Sequence, residues 1–225
     1  MKLQSFNSFL NEGVNDPAIF KAIFLAGGPG SGKSFIVGKT GLTSMGYKVV
    51  NSDDAFENAM KKASMEMNPD NIFSVKGQEL RGKAKSLTGT KQAMYIKGRL
   101  GLVIDGTGKD PSKIADQAKE LKKLGYDVAM IFVNTDLDTA ISRDAQRART
   151  LGAKGVTEYW KAVQANIGKF QTMFGKTNFL VVDNSEGKDY QKETLRAYRD
   201  ATKFTQSPVD NSKAKKWIAG EKKKK

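Results

Sequence analysis

A three-layer α/β/α fold on a five-stranded parallel sheet is predicted by three observations. Short apolar runs alternate with longer segments of helical periodicity between residues 21 and 204. Those runs are close to uniformly apolar, as strands covered on both faces must be. The first of them breaks into Gly27-Gly28-Pro29-Gly30-Ser31-Gly32-Lys33-Ser34, a glycine-rich turn that opens a helix. Right-handed crossovers then place helices on both sides of the sheet.

Each element has its own signal. Phe6, Phe9 and Leu10 offer one apolar face of a short helix ahead of the Asn15-Asp16-Pro17 turn. Strand one is expected over 21–26, and its helix over 33–45, closed by Gly46. Strand two covers 47–51 and runs directly into Ser52-Asp53-Asp54. A helix over 54–67 carries Met60, Met65 and Met67, which suit core packing or the soft wall of a cleft. The basic helix 78–98 is expected to be interrupted, because Gly82 and Gly89 fall inside it.

Strand three, 100–105, ends in Asp105-Gly106-Thr107, and Pro111 starts a helix that Gly125 stops. Strand four is 127–134. Helices over 137–150 and 157–174 follow, with Gly152 and Gly155 between them, so a helical lid is expected at about 137–156. Strand five, 178–182, leads to Asp183-Asn184 and a last helix over 188–202. Residues 1–204 then form one domain, and 205–225 a flexible basic tail with one helical turn around Trp217.

With no cysteine and no histidine, the chain excludes disulfides, thiolate and imidazole metal sites, and cysteine or histidine catalysis. Proton and cation handling falls to carboxylates. No apolar run approaches the ~20 residues of a membrane span, and no secretory signal opens the chain, so a cytoplasmic monomer without a membrane partner is the default. Net charge is +14. It is concentrated in Lys76–Arg99, with seven basic and one acidic residue, and in the last 27 positions, with nine and three. Such an excess suits a nucleic-acid partner; the alternative is solvated surface lysines.

In the glycine-rich loop, backbone N–H groups and the helix N-terminus converge on an anion. Gly28, Pro29, Gly30, Ser31, Gly32, Lys33 and Ser34 form the expected ATP-binding set, joined by Asn184 at the fifth strand's tip. Lys33 reaches the β- and γ-phosphates, and the Ser34 hydroxyl serves Mg²⁺. Ligands of open parallel sheets lie beyond the strands' carboxyl ends, which gathers Asp53, Asp105, Asn134 and Asp183 on one rim. Asp105 is the acidic partner on Mg²⁺. Asp53 suits proton removal from an incoming hydroxyl, while Asp54 suits that role or, preferably, capping of the next helix. Arg143 and Arg147, four apart, stand on one helix face and suit a grip on the transferred phosphoryl group; the alternative is an exposed helix of Arg–Asp pairs.

The phosphate loop, Asn51-Ser52-Asp53-Asp54, Val103-Ile104-Asp105 and the Arg143/Arg147 pair resemble the P-loop kinases grouped around bacteriophage polynucleotide 5′-hydroxyl kinase and zeta toxin. That resemblance spans about residues 21–184 and implies a P-loop NTPase fold, with Asp53 as the base and Arg143 and Arg147 as the lid arginines. Asp16–Phe35 and Gly125–Thr135 also resemble kinase-like proteins of large tailed phages, which implies the cytoplasm of an infected host. No companion phosphatase domain is expected after strand five. Ser52 replaces an arginine of the polynucleotide-kinase pattern, and Phe56 or Glu57 stands where an arginine often helps bind the acceptor.

The leading expectation is therefore a kinase moving the γ-phosphoryl of ATP to a nucleic-acid hydroxyl. A 5′-hydroxyl end is the simplest acceptor and a hydroxymethylated base a variant. The alternatives are a kinase of a nucleotide sugar or other small molecule, and an ATPase switch without acceptor. Strand three lacks the glutamate that would polarise water for the last of these.

Overall fold

The computed structural model describes residues 13–147 and 150–224; the helix expected around Phe6, Phe9 and Leu10 lies outside them. Five strands are present: β1 Lys21–Ala26, β2 Lys48–Val50, β3 Leu102–Asp105, β4 Asp127–Asn134 and β5 Phe179–Asp183. All pairings are parallel, in the order β2-β3-β1-β4-β5. The order reverses at β1, so the loop after β1 opens at the switch point between β3 and β4.

Alternation along β1 assigns its side chains to two cores. Ala22, Phe24 and Ala26 face one layer, with Ile114, Leu121, Phe170 and Phe174. Ile23 and Leu25 face the other, with Ile36, Leu42, Ala197 and Ala201. The first layer is supplied by α5 (Pro111–Leu124) and α8 (Ile167–Phe174), the second by α1 (Lys33–Thr40) and α9 (Tyr190–Gln206). This is the predicted three-layer fold with its five-stranded parallel sheet. A smaller cluster of Phe56, Met60, Ile72 and Ala84 joins α2 (Ser52–Lys62), α3 (Pro69–Phe73) and α4 (Val75–Lys97), with Met65 and Met67 packed against it. These methionines are therefore packing residues. No helix among the described residues is long and apolar enough to cross a membrane.

Several boundaries differ from expectation. The first helix stops at Thr40, because Gly41 takes a left-handed conformation (φ 62°). α4 is continuous: a Cβ at Gly82 or Gly89 would meet nothing within 4 Å, so both glycines lie on an open face and leave the helix unbroken. The expected helix 137–150 ends early, as α6 (Leu137–Ala145), and the expected 157–174 is two helices, α7 (Gly152–Gln164) and α8.

The segment expected to be a flexible tail is instead built onto the domain. α9 runs to Gln206, and a further helix, α10, covers Ser212–Lys222. Asp127, at the start of β4, accepts from Lys21 Nζ at 3.0 Å and from the backbone N–H groups of Asp210 and Asn211 at 2.8 and 3.0 Å. Lys21, whose side chain is 1% exposed, also donates to Ser207 Oγ at 3.2 Å. Ala214 is buried, and Trp217 lies edge-on to Phe20 at 5.6 Å with the Arg99 guanidinium over its ring at 4.3 Å.

Removing one side of a buried ion pair strands the other charge, a loss of about 3–5 kcal/mol. Asp127→Ala is therefore expected to lower the urea midpoint strongly and to make the 207–224 segment sensitive to protease in native buffer. Unchanged midpoint and protection would show that the apolar contacts of Ala214 and Trp217 hold the segment unaided.

Candidate active site

The C-terminal ends of β1, β2 and β3 bring together the loop and the carboxylates. After Ala26 the chain enters the glycine loop, where Gly30 and Gly32 have φ of 73° and 84°. A side chain at either position would collide, at Gly30 with the Ala140 backbone of α6 and at Gly32 with the Asn184 amide. The loop is thus pressed between two elements, with its backbone facing the space above the sheet.

Lys33, first residue of α1, folds its ammonium back to donate to Gly27 O at 2.7 Å. Burial pushes its pKa down, Asp105 opposes this, and the charge of Arg147 adds to the depression. Asp105 shows the mirror effect: burial raises its pKa, Lys33 opposes, and Asp53 and Asp54 add to the rise. Two buried atoms here have no hydrogen-bond partner among the described residues, Ser31 Oγ and Asp105 Oδ1. An unsatisfied buried donor or acceptor costs about 1–3 kcal/mol, so both suit a polar ligand arriving at this point. Among the described residues no group of three or more acidic side chains could cage a cation. A hard cation at Asp105 and Ser34 would complete its oxygen shell with phosphates and water, which is how Mg²⁺ is usually held. The residues present therefore fit a nucleotide triphosphate with Mg²⁺.

Asn51 organises the acidic tip of β2. Its Oδ1 accepts from Asp53 N at 2.8 Å and so caps α2, while its Nδ2 donates to Asp105 Oδ2 at 3.1 Å and Asp54 Oδ1 at 3.3 Å. One amide thus links both candidate bases to the candidate metal ligand. It also corrects the expectation that Asp54 caps the helix, since Asn51 holds that position. Asp53 and Asp54 are both exposed in the first turn of α2. Burial, then Asp53 and Glu57, raises the pKa of Asp54.

Arg143 sits in the last turn of α6, and its Nη1 donates to Asn184 O at 2.9 Å and to Gly30 O at 3.5 Å. Asn184 is buried and donates from Nδ2 to Ser31 O at 2.8 Å. Both side chains thus brace the loop's own backbone. Arg147 lies beyond the end of the helix, which corrects the expected one-turn stacking of the two arginines on a single helix face. The turn is set by buried Asp144, whose Oδ2 accepts from Thr150 Oγ1 at 2.8 Å and Leu151 N at 2.7 Å. Arg147 is exposed but close enough to act on Lys33.

Two cavities open at this rim. The larger, about 830 Å³, runs outward from Asp105 and Ser52 between α4, the 106–110 turn and α7. The other, about 460 Å³, lies on the far side, lined by Gly32, Arg143, Asn184 and the Phe35–Tyr190 aromatic pair.

A zeta toxin family profile matches residues 14–193, most of the chain. The chain belongs to the zeta toxin family. No curated protein sequence matches it. Among solved structures, a candidate kinase from Chloroflexus aurantiacus aligns over 81% of this chain and 98% of that one, with a TM-score of 0.54 at 13% identity. The Pnkp1/Rnl/Hen1 RNA repair complex contains a chain with a TM-score of 0.52 at 19% identity, covering 67% of this chain and 46% of that one. The AvrRxo1-ORF1:AvrRxo1-ORF2 complex gives 0.54 at 16%, covering 80% and 62%. The chain therefore spans about half to two thirds of the latter two. At these identities the likeness is one of fold.

In this zeta toxin family member the structure brings Lys33, Asp53, Asp105, Arg143, Arg147 and Asn184 to one rim. Three site residues had no distinct sequence signal. Asn51 was visible only as part of the strand tip, although Asn before an acidic first turn is a recognisable cap. Phe35 and Tyr190 meet only because α1 and α9 share a face.

Proposed function

We propose that the protein transfers the γ-phosphoryl group of ATP to a hydroxyl group. The observation that carries this reading is the pair of cavities at the strand tips, one along Gly32 and Asn184 for a nucleotide and one along Asp105 for an acceptor. An ATPase switch needs only the first. Family membership and fold support phosphotransferase chemistry in general.

In this reading the backbone of Gly28–Gly32 and Lys33 holds the phosphates, Asn184 keeps the loop in shape, and Phe35 and Tyr190 receive the base. Ser34 and Asp105 would hold Mg²⁺, which neutralises phosphate charge when bound. Asp53, in the first turn of α2 next to the cleft-lining Ser52 at the inner end of the acceptor cleft, takes the proton of the attacking hydroxyl. Arg143 and Arg147 offset charge on the phosphoryl group in flight.

The acceptor we favour is the 5′-hydroxyl end of a nucleic acid. Support comes from the charge of +14 and from α4, whose Lys85 faces the cleft. The fold shared with a chain of an RNA repair complex points the same way. Not all the basic side chains of α4 and the turn after it are free for this. Arg81 lies over Phe56, Lys83 pairs with Glu79 and Arg99 covers Trp217. The basic C-terminal helix sits at the opposite ends of the strands, roughly 20 Å away along a six-residue strand, so it can reach only a longer polymer. A nucleotide sugar is the second reading, favoured by the family and by a cleft within the ~300–1,000 Å³ of small-molecule sites.

Labelled-ATP transfer against 5′-hydroxyl DNA, 5′-hydroxyl RNA, hydroxymethylated-base DNA and nucleotide sugars tests this directly. Hydrolysis of ATP at one rate whether or not any acceptor is present would leave the switch as the better reading.

The arginines separate in a second test. Arg143→Ala should lower kcat and also raise the ATP KM, because it removes a brace from the Gly30 and Asn184 carbonyls. Arg147→Ala should lower kcat by about 10-fold or more with the ATP KM nearly unchanged, since its part lies in the moving charge. Equal KM effects for the two would contradict the division.

A further inference from the structure

The acceptor-side cleft carries positive charge that the transfer chemistry does not use. Lys85 lines it from α4, Lys109 from the turn after β3 and Lys113 from the first turns of α5. None of the three has a carboxylate partner within salt-bridge distance among the described residues, whereas Lys83, Lys123 and Lys215 each do.

Lys109 is held in place rather than merely exposed. Its ammonium lies 4.0 Å from the centroid of the Tyr159 ring, which also lines the cleft. Its backbone is clamped by Asn166, 5% exposed, whose Nδ2 donates to Gly108 O at 3.1 Å and Lys109 O at 3.0 Å. The cleft's carboxylate beside them, Asp110, is engaged as the cap of α5. Its Oδ1 accepts from Ser112 Oγ at 2.6 Å, Ser112 N at 3.0 Å and Lys113 N at 3.2 Å. At its inner end lies Asp105, which Asn51 bridges to Asp54 in the first turn of α2, beside Asp53. The cleft is therefore polarised, acidic at its inner end and basic on its outer wall.

We propose that Lys85, Lys109 and Lys113 form an anion subsite for a phosphate group that the acceptor carries next to its reacting hydroxyl. This deepens the kinase reading above and rests on it. An acceptor with a hydroxyl at one end and a phosphate at the other has one favourable orientation here. Asp53 and Asp105 repel the phosphate, and the lysine wall attracts it, so the hydroxyl is directed inward. The cations that recognise the acceptor thus stand on α4 and α5, not on α2. A phosphate ester of this kind is supplied by the terminal nucleotide of a polynucleotide or by a sugar nucleotide.

The test is calorimetric binding of three probes, thymidine 3′-monophosphate, thymidine and UDP-glucose, with the loop saturated by a non-hydrolysable ATP analogue and Mg²⁺. The wild type should bind at least one phosphate-bearing probe about 10-fold or more tighter than thymidine, as charge-assisted contacts imply. In the Lys109→Gln/Lys113→Gln double variant that preference should fall to within about two-fold, with thymidine affinity unchanged, and Lys85→Gln should lose part of it. A preference confined to UDP-glucose would support the subsite and assign it to the small-molecule source. Equal affinity for all probes, no binding of any, or a preference that survives in the double variant would each overturn the proposal. Because the readout is binding, a lysine-dependent preference without transfer to any acceptor would leave the subsite standing and remove the kinase reading instead.

Discussion

Lys33→Ala is expected to reduce phosphoryl transfer by about 10²–10³-fold or more and to weaken ATP binding while the fold persists. The reason is positional. The ammonium is already at the loop, bonded to Gly27 O, with Asp105 and Asp53 acting on it and no surface role to lose. Burial depresses the Lys33 pKa, so the folded state binds this proton less well than the unfolded chain. That cost falls on the folded state below the unfolded pKa and fades as pH rises from the folded to the unfolded value, so the variant's melting temperature should lack the Lys33 share of the rise with pH across that window. Transfer assays and thermal melts on one preparation read both effects. Turnover within a few-fold of wild type in a folded variant would take the loop out of the chemistry.

Asp53→Asn should cut transfer by about 10²-fold or more and leave ATP affinity within a few-fold, the usual scale for a positioned base. The change is nearly isosteric, and the backbone bond from Asp53 N to Asn51 Oδ1 survives it. Asp54→Asn should do much less. Asp54 belongs to the same Asn51-centred network, so the pair of variants separates proton removal from simple disturbance of that network. Reversed effects would move the base to Asp54. Loss of Mg²⁺ binding in the Asp53 variant would instead make it a cation ligand.

The layers and strand tips were legible because their signals are local. Apolar runs mark β1, β3 and β4, and Gly27–Ser34 marks the loop. Asp53 and Asp105 follow as strand-end carboxylates. What was not legible depends on partners distant in sequence. α6 stops at Ala145 because buried Asp144 binds Thr150 and Leu151, which helical spacing alone does not reveal. Gly82 and Gly89 read as breaks, yet a continuous helix tolerates them on an open face. The C-terminal segment read as a tail on composition, but Asp127 and Lys21, some 80 and 190 residues earlier, tie it down. The cavity behind the loop needs Phe35 and Tyr190, which no motif pairs.

The two tryptophans of the chain are divided between the two ends of the sheet. Trp160 donates from Nε1 to Thr135 O at 2.8 Å, and its Cα would lie 4.0 Å from a Cβ built on Gly28. Trp217 lies under Arg99 at the other end. The protein therefore contains its own pair of optical probes. In a Trp217→Phe variant all indole emission would come from beside the phosphate loop, so stopped-flow fluorescence could time nucleotide arrival without any attached dye. In a Trp160→Phe variant the remaining emission would report whether the C-terminal helix stays docked. Comparing the two decay traces during unfolding would show whether the ends of this sheet come apart together or in sequence.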